Sequence, residues 1–202
     1  MKILSLFILV FSAYTLYAQL PEKAEDISPL LISEVIPPTD VIDLEGNSIS
    51  LQSLIKSQKS ILLFYRGGWC PYCNTHLSEV GLAEKEIKDL GYQIIAFSPD
   101  SPENLKATME KSDIQYQLFS DGNGALMKAM GIAFNAPEKY GDMLNKYSDN
   151  MNDGLLPVPS LFVVDTEGTI LFEYISPNYK QRIGADMLVH VLKQLNAEVS
   201  DN

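Results

Sequence analysis

The sequence predicts an α/β domain in which a mixed central sheet lies between helices and is extended by an N-terminal hairpin. Three observations predict it. Unbroken apolar runs at Ser60–Tyr65 and Tyr92–Phe97 have the character of strands buried on both faces. Between them Leu77, Val80, Ala83, Ile87 and Leu90 recur at spacings of three and four, which gives a helix with one apolar face. Strands and helices alternating in this way build a parallel sheet with helical layers. Near the C-terminus, Asp165-Thr166-Glu167-Gly168 joins Ser160–Val164 to Thr169–Tyr174 through a tight turn, which adds an antiparallel hairpin and makes the sheet mixed.

The elements follow in order along the chain. Residues 1–18 read as an export signal: Lys2 supplies the basic start, Ile3–Phe11 the apolar stretch, and Ala18 a cleavage point before Gln19. The expected destination is the periplasm or the outside of the cell, with no stable membrane insertion once the signal is removed. The rival is an uncleaved anchor, for which Ile3–Ala18 is short against the roughly 20 residues of a span. Residues 19–38, with Pro21, Pro29, Pro37 and Pro38, read as a linker. The domain then occupies residues 39–199. Val41–Leu44 and Ser48–Leu51 flank Glu45-Gly46-Asn47 as the N-terminal hairpin, and Leu51–Lys56 holds one or two helical turns. Gly91 ends the first long helix and Pro99 the second buried strand. Ser101 before Pro102 signals a helix start, continuing to about Lys111. A shorter strand follows at Gln115–Phe119, then a helix from Asp121 to Met130 closed by Gly131. Ala133–Leu156 fits no single element; it reads as an insertion, partly helical over Glu138–Tyr147, placed to flank an active site. A last helix is expected from about Tyr179 to Ala197.

Composition limits the function. The chain has 202 residues, 46% apolar and 20% charged, with a formal net charge of −11. Such acidity excludes a nucleic-acid backbone and disfavours anionic lipid as partners, since both need a concentrated basic face. Its ordinary consequence is solubility.

Both cysteines of the chain fall in Cys70-Pro71-Tyr72-Cys73, where a buried strand gives way to a helix after Arg66-Gly67-Gly68-Trp69. As a structural staple this pair would add little: closing so short a loop is worth ~2 kcal/mol in the loop-entropy account, against ~3 for a 15-residue loop. As chemistry the spacing is apt. A cysteine at a helix N-terminus meets free N–H groups and the positive dipole end, which favour the reactive thiolate, and a second cysteine one turn on can resolve what the first captures. A metal site is not expected. His76 lies three residues after Cys73, but no second cysteine pair completes a tetrahedral set, and His76 reads as a solvated residue beside the site. No cofactor is implied.

The segment Phe64-Tyr65-Arg66-Gly67-Gly68-Trp69-Cys70-Pro71-Tyr72-Cys73 resembles the peroxiredoxin-like branch of the AhpC/TSA and redoxin group, within the thioredoxin superfamily. Ala96–Glu103, Leu118–Asp121 and Ser160–Gly168 are similar to further strands and turns of those proteins, so that the resemblance spans about Thr39 to Leu195. It implies a thioredoxin-like fold and an antioxidant thiol enzyme reducing hydroperoxides, reset by an external dithiol such as a thioredoxin-like protein. It also implies a cis peptide at Val158-Pro159, presenting the Val158 backbone beside the cysteines. Arg66, Trp69 and Pro159 are then the residues expected to support Cys70 and Cys73.

The resemblance departs at the peroxide-polarising residues. In its alignment Cys73 takes the peroxidatic place, Cys70 stands for a Thr or Ser, and Arg66 for an upstream proline. The family's distant arginine falls near Pro159. Arg66 and Arg182 are the only arginines, and Arg66 is the one expected at the site. Two chemistries follow. A peroxidase would attack with Cys73 and resolve with Cys70. A thiol-disulfide oxidoreductase acting on protein disulfides would attack with Cys70 and resolve with Cys73. A binding module on a retired redox frame is the non-enzymatic reading, and the intact cysteine pair argues against it.

Overall fold

A computed structural model describes residues 19–200, side chains to residue 198. The expected signal, residues 1–18, lies outside the described residues. The strands are β1 (Asp40–Ile42), β2 (Ser48–Ser50), β3 (Lys59–Phe64), β4 (Tyr92–Ser98), β5 (Gln117–Ser120), β6 (Ala133–Asn135), β7 (Leu155–Pro157), β8 (Ser160–Val164) and β9 (Ile170–Ile175). The helices are α1 (Leu51–Ile55), α2 (Pro71–Leu82), α3 (Glu84–Asp89), α4 (Pro102–Ser112), α5 (Ala125–Ala129), α6 (Gly141–Tyr147) and α7 (Ala185–Ser200).

Seven strands form one mixed sheet in the order β2-β1-β5-β4-β3-β8-β9, and β6 and β7 form a separate pair. β3, β4 and β5 run parallel; β1, β8 and β9 join antiparallel. The alternation of side chains across a strand explains the unbroken apolar runs. Ile61, Leu63, Ile94 and Ala96 pack on one face with Leu77, Val80, Leu105, Leu188 and Leu192. Leu62, Phe64, Ile95 and Phe97 pack on the other with Ile36, Leu51, Leu126 and Met130. The N-terminal hairpin is thus the sheet's edge, held through Ile42 opposite Ser120.

Several boundaries differ from expectation. The long helix after the cysteines breaks at Ala83 into α2 and α3, with Ala83 capping the second. The helix expected at Asp121 begins only at Ala125, because both Asp121 carboxylate oxygens accept from the N–H groups of Leu126 and Met127 and act as its cap. The last helix starts at Ala185 rather than Tyr179. Residues 176–184 instead form a loop in which Gln181 N–H donates to Asn178 O and the Arg182 side chain turns back on the carbonyls of Tyr179 and Gln181.

Residues 19–38 are a strap bonded to the domain, not a free linker. Leu30 N–H donates to Met130 O, Ser33 to Ile170 O, Ile36 to Gly168 O, and Asn135 donates to Pro21 O. Gly131 is what lets the strap pass: its φ is +68°, and a Cβ there would stand 2.0 Å from Ser28 O. No helix among the described residues is long and apolar enough to cross a membrane.

Candidate active site

The C-terminal ends of β3 and β4 lie side by side, Phe64 opposite Phe97, with Tyr65 N–H bonded to Phe97 O. This brings the Arg66–Cys73 loop against the Pro99–Ser101 turn. Cys70 caps α2 with extended backbone, Pro71 takes the first helical position, and Cys73 completes the first turn, its N–H donating to Cys70 O at 3.0 Å. Both cysteines are free thiols and buried, at 2% and 1% exposure.

The loop before them is clamped at Gly68. Its N–H donates to Asp100 Oδ2 at 2.7 Å and its carbonyl accepts from Asn74 Nδ2 at 2.8 Å. No side chain fits at this point, since a Cβ on Gly68 would lie 1.9 Å from Thr108 Oγ1. Asp100 is almost fully buried, which pushes its carboxyl up to about 7 against the hydrogen bonds from Gly68 and Ser98 that favour its charge; the nearby Cys70 thiolate raises it further.

The two thiols differ in acidity. Cys70 is drawn down to about 6, first by the hydrogen bond from the Cys73 thiol, against burial, with help from the Cys73 backbone N–H and the charges of Arg66 and Arg182. Burial pushes Cys73 up, as do its hydrogen bond to Cys70 and that neighbour's negative charge. The two directions make Cys70 the more acidic sulfur of the coupled pair and Cys73 the less acidic one.

Two guanidiniums attend the pair. Arg66 is buried (4% exposed), and its charge lies over the rings of Trp69, Tyr140 and Tyr179 at 5.0, 4.6 and 4.4 Å from their centroids. The bond from Arg66 in turn holds the Tyr140 phenol below its ordinary value. Arg182 donates from Nη2 to Cys73 Sγ at 3.4 Å. This corrects the expectation that Arg66 alone serves the site: the loop before α7 frees Arg182 to reach Cys73. His76 is corrected as well. It is 5% exposed, not solvated, and donates from Nε2 to Ile183 O; burial and the Arg182 charge lower it to about 4, so it stays neutral.

Pro159 stands by the site, but the expected cis bond is not present: no peptide among the described residues is cis. The chain runs extended from β7 into β8. The Val158 N–H is taken by Ile132 O and the Pro159 carbonyl by Ser176 N–H, so that amide is not free for a thiol partner. Pro159 instead lines a cavity of about 180 Å³ beside Arg66, whose other walls include Phe134, Tyr140, Pro157 and Tyr179. The insertion read over Ala133–Leu156 supplies part of that wall through β6 and the turn at Glu138–Tyr140. A larger cleft between α2–α3 and α7, lined by Glu79, Glu86 and Asp186, contains neither cysteine.

Cys70, Cys73, Arg66 and Trp69 are therefore brought together as the sequence suggested. Asp100, Asn74, Tyr140 and Tyr179 were not foreseen. Asp100 alone had a signal, in Ser-Pro-Asp-Ser-Pro at the end of a buried strand.

Comparison with known proteins is consistent with this geometry. The model of the AhpC/TSA family matches residues 32–172. A putative peroxiredoxin bcp of Haemophilus influenzae is 22% identical over 169 residues, covering 84% of this chain and 100% of the relative. The thiol-disulfide oxidoreductase ResA of Halalkalibacterium halodurans is 29% identical over 91 residues, 45% of this chain and 51% of that protein. Among solved structures, reduced Prx3 of Vibrio vulnificus in complex with H2O2 superposes with a TM-score of 0.70 at 17% identity, over 81% of this chain and 99% of that one. The last likeness shows the thioredoxin-like fold.

Proposed function

The chain belongs to the AhpC/TSA family, and from that premise we propose that it is a thiol peroxidase whose electrons pass through Cys70 and Cys73. The observation that carries the assignment is the geometry of the pair: Cys70 caps α2, Cys73 lies one turn on with its N–H bonded to Cys70 O, and Arg182 Nη2 donates to Cys73 Sγ. The Cys70 thiolate attacks the outer oxygen of a hydroperoxide, forming an S–O bond as the O–O bond breaks. The leaving alkoxide takes the Cys73 proton, and Arg66 stabilises its charge in transit. Cys73, now a thiolate beside Arg182, attacks the Cys70 sulfenic sulfur and closes the disulfide, expelling hydroxide that takes from solvent the proton Cys70 had released and leaves as water. An external dithiol returns the pair to the reduced state. The sum is ROOH plus two thiols giving ROH, water and a disulfide.

In this reading the first attack belongs to Cys70, not to Cys73 as the family alignment would place it. The test is direct. Cys73→Ser treated with one equivalent of hydroperoxide should stop at a Cys70 sulfenic acid that a dimedone-type probe traps. Trapping at Cys73 in Cys70→Ser, with an inert Cys73→Ser, would reverse the roles. The acidic Cys70 at a helix start also favours a second reading, disulfide exchange with protein partners. Stopped-flow oxidation by peroxide and by a model disulfide, compared at equal concentration, separates the two. Export belongs to the same proposal and is supported by the pattern of residues 1–18. Intact-mass measurement on protein expressed in a bacterial host should show the chain shortened near Ala18.

A further inference from the structure

We propose that the cavity beside Arg66 is a binding site for a small apolar carboxylate, an aromatic or short-chain acid whose anionic head pairs with the Arg66 guanidinium. The argument begins with charge. The protein carries a net charge of −11, yet among the described residues no carboxylate lines this cavity; its charged residues there are Arg66 and the exposed Lys139. Arg66 is nearly fully buried, makes no salt bridge among the described residues, and its Nε has no hydrogen-bond partner. A buried cation in that state is costly, and the ring faces and the Tyr140 hydroxyl offset only part of the cost. An entering carboxylate would supply the missing charge-assisted hydrogen bonds.

The walls decide what the anion must carry. Phe134, Pro137, Pro157, Pro159 and Pro177 join the two tyrosines, leaving almost no polar group besides the cations. The volume, about 180 Å³, is below that of a drug-sized site and suits a single ring or a few methylenes. Inorganic anions would gain the charge but lose the apolar contact, and neutral aromatics the reverse.

Occupancy also has a consequence for the cysteines. Arg66 is one of the charges that favour the Cys70 thiolate. A carboxylate that neutralises it makes that thiolate harder to form, so the ligand acts as a brake on the redox pair.

Benzoate and its neutral analogue benzamide are the probes. Trp69 is the only tryptophan and packs on Arg66 and Tyr140, so intrinsic fluorescence reports the site without any peroxide present. Titration of the full chain, followed by fluorescence and by calorimetry, should show benzoate binding at least about tenfold more tightly than benzamide, the scale of one charged hydrogen bond. Thiolate absorbance of Cys70 should move to higher pH with benzoate and stay put with benzamide. Arg66→Gln should remove the preference. Lys139→Glu, which reverses the exposed charge over the Tyr140 ring at the cavity wall, should weaken benzoate several-fold. Equal affinity for the two probes, or unchanged benzoate binding in Lys139→Glu and Arg66→Gln, overturns the proposal whether or not the protein reduces peroxides.

Discussion

Arg66 and Arg182 reach one dithiol from opposite parts of the chain and are held there by different means. Arg66 follows β3 and is gripped by three ring faces and a bond to the Tyr140 hydroxyl, which leave its Nε without a partner. Arg182 precedes α7 and is anchored through Nη1 to the Tyr179 and Gln181 carbonyls, which leaves Nη2 aimed at Cys73. The first arrangement keeps a charge available; the second fixes a direction. The contrast assigns Arg66 to the charge that develops on the departing oxygen, and Arg182 to the sulfur that resolves.

The sharpest way to break this division is to delete each cation in turn. Arg66→Ala should slow the first oxidation by a factor of about 100, the scale for losing one charge-stabilising donor. Arg182→Ala should leave that step nearly unchanged and slow disulfide closure, so that the sulfenic acid lives longer in probe-trapping experiments. Equal slowing of both steps by both variants would show that the two guanidiniums act only as a common field.

A smaller effect tests the ring grip. Tyr140→Leu removes one face and should slow oxidation by about fivefold, near 1 kcal/mol for a partly desolvated cation–π contact. Tyr140→Phe keeps the face but loses the hydroxyl bonded to Arg66, and should fall between the native enzyme and Tyr140→Leu.

The smallest kinetic change is expected at Asp100, whose own titration is raised by burial and further by the Cys70 thiolate. Asp100→Asn retains an oxygen for Gly68 N–H, and since Asp100 titrates at about 7, above Cys70 at about 6, the Cys70 midpoint should hardly move while the loop stays in place. Stability gives an independent reading. Burial raises the Asp100 carboxyl from 3.8 to about 7, so the folded state binds the extra proton in that window and stability falls as pH rises from about 4 through 7. Asp121, raised by burial to about 6, contributes a similar decline that ends sooner. Urea midpoints of Asp100→Asn should therefore fall less steeply, with the difference persisting up to pH 7.

Local pattern made much of the molecule legible. The runs around Leu62 and Ile95, the helical spacing from Leu77 to Ile87, and Ser101-Pro102 report structure within a few residues, and these elements stand close to where they were expected. Cys70 and Cys73 were legible because their spacing is itself the chemistry. Arg182 was not, because its contact with Cys73 bridges 109 positions and requires that residues 176–184 not be helical. Tyr140 and Tyr179 meet Arg66 only when the insertion and that loop fold over the same strand end. Proline-rich composition pointed to a linker at 19–38, whereas the tertiary bonds to Met130, Gly168 and Ile170 make it a strap.

That strap determines which end of the molecule the N-terminus serves. Pro21 is bonded to Asn135, and Ala24, three residues on, forms part of the cavity wall beside Arg66. Residues 21–24 thus run past the Arg66 side of the redox site and not along the opposite pole. Whatever is attached there acts as a leash fixed at the doorpost: a bulky fusion would crowd incoming partners, and a surface tether would turn the reactive end towards the surface. Trimming beyond Ala24 would do something different again, removing a jamb and widening the opening.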